Sequence, residues 1–386
     1  MLDDLRDECR RELFDIVLPF WDRHGIDHDY GGFFCRLDHD GALVDDTKFH
    51  WFQGRGLWVY SFLYNHFGRD ARHLEVARKA RDFLLKFGPQ PDGMWAESWT
   101  RGGRVLHPFR GDYYGMYFAV EGLFEYAHAA NDPQAFGAAL DLFLRLRAFA
   151  SPPPPQGYWM VNLLIATQFL RRRSDDRVSA IAGDALDAIL VRHYNPETGL
   201  NMEVLAEPGY CVFGHSIECF WMAMAEADRR GDEALWQQCA ERIRHHLECG
   251  WDHIYGGLAA GVRIDEPCYE WPVDRPVGTG VELEARGEIN YNKYFWAVNE
   301  VLIAALNIHL RTGSEWSLRY LEKARDAKRR FSLNARGFPL YLLFTDRRFR
   351  FQPAQRRQDN YHLPRQLMLN LLALESVPRP SPGGQL

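Results

Sequence analysis

Segments with one apolar stripe alternate along the chain with segments that are apolar on every side. The striped ones carry Leu2, Leu5, Cys9, Leu13, Ile16 and Val17; Leu74, Ala77, Ala80, Phe83, Leu84 and Phe87; Val178, Ile181, Ala185 and Ile189; Trp236, Ala240, Ile243 and Leu247; and Trp316, Tyr320, Ala324, Ala327 and Phe331. Gln134 to Ala150 joins them by position, with Arg145 and Arg147 on its polar side. The fully apolar segments start near Trp51, Asp112, Tyr158, Val212, Tyr291 and Tyr361. Six helices with one wet face, interleaved with six that have none, are what an (α/α)6 barrel requires, because its inner ring has neighbours all round while its outer ring meets water. The pattern therefore predicts an all-α barrel of six inner and six outer helices. Strand runs of the kind a TIM barrel or a dinucleotide-binding fold needs are absent.

Loop lengths give the barrel a direction. Inner-to-outer connections are short (NHFGRD, ANDPQ, RRRSDD, RRGD, RTGS), whereas most outer-to-inner connections are long and rich in turn residues, among them DHDYGGFFCRLDHDGALVDDTK, GPQPDGMWAESWTRGGR, YNPETGLNMEV, YGGLAAGVRID and ARGFPLYLLFTDRR. They predict small hairpins gathered on one face, where each loop enters an inner helix, and that rim is the expected place for binding residues. The recurring unit of outer helix, Gly-Gly hairpin and inner helix argues for one domain over residues 1–378, with 379–386 as a loose tail.

Composition narrows the function classes. A net charge of −6 without long like-charge blocks gives no footprint for nucleic acid or an anionic membrane, so a neutral small molecule suits the chain better. Aromatic residues at 14% supply flat surfaces for such a ligand. The seven cysteines are scattered and never form a CxxC pair, which indicates neither a disulfide framework nor a zinc ribbon. MLDDLRDECRREL lacks an apolar signal core, and no run of 18 apolar residues follows. A cytoplasmic protein is expected.

The polar residues near the inner-helix starts are Lys48, Gln53 and Arg55; Asp112 and Tyr113; Asn162; His215 and Glu218; Lys293, Asn299 and Glu300; and His362 with Arg365. Leaving such groups unpaired in a core costs about 1–3 kcal/mol each, so a central polar cavity is the natural home for the set. A lone Asn162 or Lys293 is better explained as a satisfied core group. His215 and Glu218 stand three apart, a spacing that lets a carboxylate orient an imidazole and raise its basicity. His362 opens the last inner helix, whose dipole favours a neutral ring and stabilises an anion nearby. His66, His73, His128, His193, His245 and His246 are expected on the surface.

Several of these stretches resemble the N-acylglucosamine 2-epimerase family, which also holds cellobiose 2-epimerases and mannose isomerases on an (α/α)6 barrel. KFHWFQGRGLWVY (Lys48 to Tyr60) is similar to its K-x-x-W-x-Q-x-R-x-x-W signature, GHSIECFW (Gly214 to Trp221) to G-H-x-x-E-x-x-W, WDHIYGGL (Trp251 to Leu258) to W-D-x-x-x-G-G-L, KYFWAVNE (Lys293 to Glu300) to K-x-W-W-x-x-x-E, and YHLPRQL (Tyr361 to Leu367) to F-H-V-P-R. The resemblance implies His215 and His362 as the catalytic pair, Glu218 as the orienter of His215, and Arg55 as the cation at the substrate's C1–C2 oxygens. Lys48, Trp51, Gln53, Asp112, Tyr113, Trp159, Asn162, Trp296, Glu300 and Arg365 are the expected substrate-binding residues. Trp159, Met160 and Asn162 stand where disaccharide epimerases and mannose isomerases carry a third His, which leans toward the N-acyl branch. The aromatic residue expected shortly before the second His is missing, with Arg357 nearby instead.

The implied function is sugar 2-epimerisation. One His removes the C2 proton of the open-chain sugar, a cis-enediolate is held by Arg55 and helix N-termini, and the other His returns a proton to the opposite face. No metal or other cofactor is implied, although a nucleotide activates some family members. A monosaccharide or amino sugar is the expected partner, and a homodimer is left open beside a monomer. Return of the proton to C1 would make the chain an aldose–ketose isomerase. More distant alternatives are an inverting glycoside hydrolase, which needs two carboxylates about 6.5–9.5 Å apart, and a protein-binding toroid without activity.

Overall fold

The computed structural model describes residues 1–38, 40–148, 154–205, 209–263, 292–331, 342–344 and 359–376. Twelve helices lie within them. The outer set is α1 (Leu2–Arg11, running on without a break through Glu12–Val17, Leu18–Phe20 and Trp21–Gly25), α3 (Ala71–Phe87), α5 (Pro133–Ala148), α7 (Asp176–Asp187, extended by Ala188–Arg192), α9 (Glu233–Gly250) and α11 (Glu315–Phe331). The inner set is α2 (His50–His66), α4 (Tyr113–Ala130), α6 (Gln156–Leu170), α8 (Phe213–Arg230), α10 (Phe295–Thr312) and α12 (His362–Glu375). Each inner helix packs against the next, and α12 meets α2 to close the ring. Helices α3, α5, α7, α9 and α11 each lie on the inner helix before them, while α1 covers α12. This is the (α/α)6 barrel that the alternating stripes predict.

Local chemistry sets the helix ends. Asp70, Asp132, Asp175 and Asp232 each accept backbone N–H bonds at the start of an outer helix, contributing about 1 kcal/mol apiece. Left-handed Asn131, Gly231 and Gly313 stop α4, α8 and α10 just before those short connections. On the opposite rim the loops are stapled by short strands. β1 (Arg36–Leu37) pairs with β2 (Leu43–Asp45), and β4 (Ser98–Trp99) with β5 (Val105–His107), as self-contained hairpins. The other pairings join one loop to another: β3 (Lys48–Phe49) with β4, β6 (Tyr210–Val212) with β7 (Gly261–Arg263), and β8 (Asn292–Tyr294) with β9 (Leu342–Phe344). The strand leading into α2, α8 or α10 has a free edge, and a later loop covers it.

One loop device occurs twice with the same chemistry. Asp27 and Asp252 each head a turn that ends in Gly-Gly: Asp27 N–H donates to Gly32 O and Asp252 N–H to Gly257 O, with the carboxylates accepting from the next backbone N–H groups. A lysine two residues before an inner helix then locks each turn. Lys48 Nζ lies 2.9 Å from Asp27 and 2.6 Å from Gly31 O, and Lys293 Nζ lies 2.6 Å from Asp252 and also donates to Gly256 O. The paired glycines have φ between 78° and 92°, and a Cβ would collide with Gln53 Oε1 at Gly32 and with the Lys293 side chain at Gly257.

Two of the expected surface histidines are buried. His246 accepts from Asn201 N–H while its Nδ1 faces Arg242 O, and burial pushes its pKa down to about 3. His193 is held through Nδ1 at Met202 O. Both sit where an outer-helix end meets a rim loop, and the loop covers what would otherwise be a wet face. Tyr291, Cys268, Arg357, most of ARGFPLYLLFTDRR and the tail 379–386 lie outside the described residues.

Candidate active site

The N-terminal turns of α8, α10 and α12 bring His215, Trp296 and His362 to one small cavity at the rim, which Arg55, Glu218 and Arg365 also line. The Trp296 ring neighbours both imidazoles, with centroids 5.3 Å from His215 and 5.4 Å from His362. Gly214 permits this approach, since a Cβ there would collide with the Trp296 ring. Asp359 fixes the start of α12 by accepting from the N–H groups of Tyr361, His362 and Leu363. Both catalytic candidates are nearly buried, each 6% exposed, so their protonation answers to a few named neighbours rather than to bulk water.

Each imidazole meets a carboxylate through Nδ1. His362 Nδ1 is 2.8 Å from Glu300 Oε1, and His215 Nδ1 is 3.0 Å from Glu203 Oε2. The expected hydrogen bond from the His215 ring to Glu218 is not formed. Glu218 is hydrogen-bonded by Arg365 instead, and its separation of three residues from His215 puts both on the cavity face without turning them toward each other. Burial pushes the His362 pKa down to about 3, and Arg365 and Arg55 act the same way against Asp359 and Glu218. For His215 burial also favours the neutral ring, but the charge and hydrogen bond of Glu203, with Glu218, outweigh it and raise the pKa.

Beneath the imidazoles lies a buried charge network. One Arg365 nitrogen donates to Glu218, to Glu300 at 2.7 Å, and sits 3.3 Å from His362 Nδ1. Glu218, Glu300 and His362 have donor atoms close enough together to suit a metal ion, but the Arg365 guanidinium already bridges them. Trp221 Nε1 donates to the other Glu300 oxygen at 3.0 Å. Arg365 also donates to Tyr361 Oη, which in turn donates to Glu121 at 2.8 Å. Arg55 stacks its guanidinium 3.9 Å above Phe118 and 5.1 Å from the Tyr361 ring, with Trp51 at 5.3 Å.

The remaining sequence candidates separate by helix face. Lys48 is the lock of the first rim loop, and Gln53 brackets Phe33 by accepting from its N–H at 2.7 Å and donating to its carbonyl at 2.8 Å; both lie behind the cavity wall. Asp112 caps α4 at the exposed rim, and Tyr113 packs edge-on to Tyr158. Trp159 is sandwiched by Arg147 and Arg192, facing the outer ring, and Asn162 donates to Tyr158 O within its own helix. The cavity side of α6 is Met160, Val161 and Leu164, and that of α4 is Tyr114 and Phe118. Their i, i+3, i+4 spacing is visible in the sequence, but nothing apolar there marks a binding face. Glu203 belongs to the rim loop YNPETGLNMEV, where no helical spacing points it toward His215.

Residues 25–148 match the family model for N-acylglucosamine 2-epimerase (GlcNAc 2-epimerase). The N-acylglucosamine 2-epimerase of Bos taurus is 25% identical over 347 residues, 81% of this chain and 77% of that protein. A sugar epimerase from a ruminal bacterium shares the fold with a TM-score of 0.80 at 18% identity, covering 97% of this chain and 100% of that one. A D-mannose isomerase superimposes with a TM-score of 0.73 at 14% identity, covering 97% of each chain. The chain is therefore similar to the N-acylglucosamine 2-epimerase family, and it is an enzyme of the isomerase class.

Proposed function

We propose that this protein is a 2-epimerase of N-acylated hexosamines, interconverting sugars of the N-acetylglucosamine and N-acetylmannosamine type. The observation that carries it is the pair of imidazoles lining one cavity with Trp296 as a common neighbour, each held at Nδ1 by a carboxylate so that Nε2 is left for the substrate. After ring opening, one Nε2 takes the C2 proton and the electron pair passes through the C1–C2 bond onto the aldehyde oxygen, giving a 2-acylamino enolate. The other imidazole returns a proton to the opposite face of C2. Arg55 is the cation for the enolate oxygen at C1, supported by the N-terminal dipoles of α8 and α12. His215, His362, Arg55 and Arg365 supply base, acid and charge stabilisation, so the reaction asks for no cofactor.

The apolar wall of Met160, Val161 and Leu164, with Met222 beside it, supports an N-acyl methyl group as its occupant. The bovine relative is named for the same sugar class. Delivery of the proton to C1 instead would convert a 2-hydroxy aldose to its ketose, and the fold shared with a D-mannose isomerase keeps that as the second function to be tested. The test is a panel of N-acetylmannosamine, mannose, glucose, fructose and cellobiose in D2O, followed by NMR. Deuterium at C2 of N-acetylglucosamine formed from N-acetylmannosamine is the expected outcome. Deuterium at C1 of a ketose would replace the epimerase with the isomerase, and product with protium at C2 would end the two-base mechanism.

A further inference from the structure

Glu203 lies in the loop between α7 and α8, 12 residues before His215, and is tied into two inner helices at once. Its carbonyl accepts from Gln156 N–H at 2.7 Å and its Oε1 from Gly157 N–H at 3.3 Å, both at the start of α6, while Oε2 meets His215. The side chain is buried, and among the described residues His215 is the group that pairs with its charge. The second dyad is built differently: Glu300 is shared between His362 and Arg365, and Arg365 also holds Glu218. One histidine thus faces a carboxylate of its own, while the other faces a carboxylate already balanced by a guanidinium.

We propose that Glu203 is the positioning residue for His215, fixing its Nδ1 toward the α6 terminus and keeping a proton on that ring, so that the free enzyme rests with His215 as imidazolium and His362 as neutral imidazole. This rests on the two-imidazole function proposed above. The groups around His215 are Glu203 from the loop, with His193 behind it; Glu218 and Cys219 on its own helix; Arg55 from α2; and the Trp296 ring from α10. Arg365 of α12 is engaged by Glu218 and Glu300. The resulting directions agree: the Glu203 carboxyl is lowered despite burial because His215 faces it, and His215 is raised while His362 is lowered.

The proton inventory then gives the reaction a ready direction. An epimer whose C2–H bond faces His362 loses that proton to His362 Nε2, and His215 Nε2–H forms the new C2–H bond on the other face. The enzyme ends with its proton moved from His215 to His362, and exchange with water restores the resting state. The opposite epimer must draw on the minor protonation state.

The test is 13C or 15N NMR titration of the ring of His215 in the full-length protein, assigned with His215→Gln, together with kcat/KM against pH for both epimers in wild type and Glu203→Gln. Wild-type His215 is expected to titrate above the ordinary value of about 6.5 and His362 below it. In Glu203→Gln the His215 titration and the basic limb of the profile should move down together by about one pH unit or more, with kcat about 10–100-fold lower and KM changed less than about threefold. A purely structural Glu203 would lower the melting temperature and leave both limbs in place, which would overturn the proposal. Should the Gln variant fail to fold, the wild-type titration decides alone: His215 losing its proton at or below the pH at which His362 does so sinks it. Absence of C2 deuteration in wild type would remove the epimerase function without touching the substrate-free titration, so the two failures are distinguishable.

Discussion

The two walls of the cavity are built from opposite materials. The wall of α8, α10 and α12 presents His215, His362 and Trp296 over a buried network of Glu218, Glu300 and Arg365, whereas the wall of α4 and α6 presents Tyr114, Phe118, Met160, Val161 and Leu164. Charged groups on the first wall are expensive to bury and stay only because each is paired, so exchanging one disturbs several. Apolar groups on the second wall are interchangeable at modest cost. The difference separates chemistry from choice of substrate: the polar wall suits proton transfer at a carbon next to a carbonyl, and the apolar wall determines which substituent fits beside it.

The largest effect should come from the reacting rings themselves. His362→Asn and His215→Asn are each expected to lower epimerisation by about 10²–10⁴-fold, the range for loss of a positioned acid or base, with the melting temperature changed by only a few degrees. Measured by steady-state kinetics and C2 exchange in D2O, one variant should still exchange C2 of one epimer, since removal and return on the same face need a single base. Net epimerisation surviving in both variants would place the chemistry elsewhere.

Next in size is Arg365→Met. It would leave Glu218 and Glu300 buried beside each other without their shared cation, a situation that costs about 3–5 kcal/mol when one partner of a buried pair is removed. Denaturant unfolding of this variant against wild type measures the loss. If stability were unchanged, the polar wall would not be a coupled network.

A pH-dependent effect tests the junction between the walls. Glu121 on α4 is fully buried behind Phe118 and Tyr361, and burial pushes its pKa up to about 7 despite Arg365 and the hydrogen bonds from Tyr361 and Gln168. The folded value lies above the unfolded one, so stability is fully present below about 4.5 and is lost as pH rises through about 7. Glu121→Gln cannot ionise. Its melting temperature relative to wild type should therefore climb between pH 5 and pH 8, by an amount that reflects up to about 3 kcal/mol. A constant offset across that range would show that Glu121 stays ionised in the fold.

What the sequence could tell followed from whether a signal was periodic or contingent. Alternating stripes made the barrel legible, because burial on one face or on all faces is written into every turn of helix. His215, His362, Glu300, Arg365, Arg55 and Trp296 were found because they sit in motifs at inner-helix starts, which the ring brings together. Side-chain pairing was not legible: Glu218 at i+3 was the natural partner for His215, but the partner is Glu203, delivered by a loop whose path no local rule specifies. Lys48 and Gln53 looked functional for the same reason that they are structural, since a buried polar group at the rim serves a loop lock as well as a ligand. Trp159 and Asn162 lay one position to either side of the cavity face, and on a helix that step of about 100° decides what a side chain meets.

The smallest effect should appear on the apolar wall, in specificity rather than rate. Leu164 and Met160 lie on the cavity face of α6, where an N-acyl methyl would rest, and neither contacts the dyads through a hydrogen bond. Shortening Leu164 to Ala leaves the polar wall intact and removes about one to three methylene-sized contacts with that methyl. Hydrophobic pocket contacts of this size discriminate by about 1–3 kcal/mol, a factor of roughly 10–200. The expected result is therefore a fall within that range in kcat/KM for N-acetylmannosamine, carried mainly by KM, while kcat/KM for mannose, which lacks the acyl group, moves by less than about threefold. Met160→Ala should act the same way more weakly, because the flexible neighbouring Met222 can fill part of the space. Equal losses for both sugars would mean that α6 faces the part of the sugar they have in common, and a gain for mannose alone would assign the wall to the hydroxyl-bearing substrates instead.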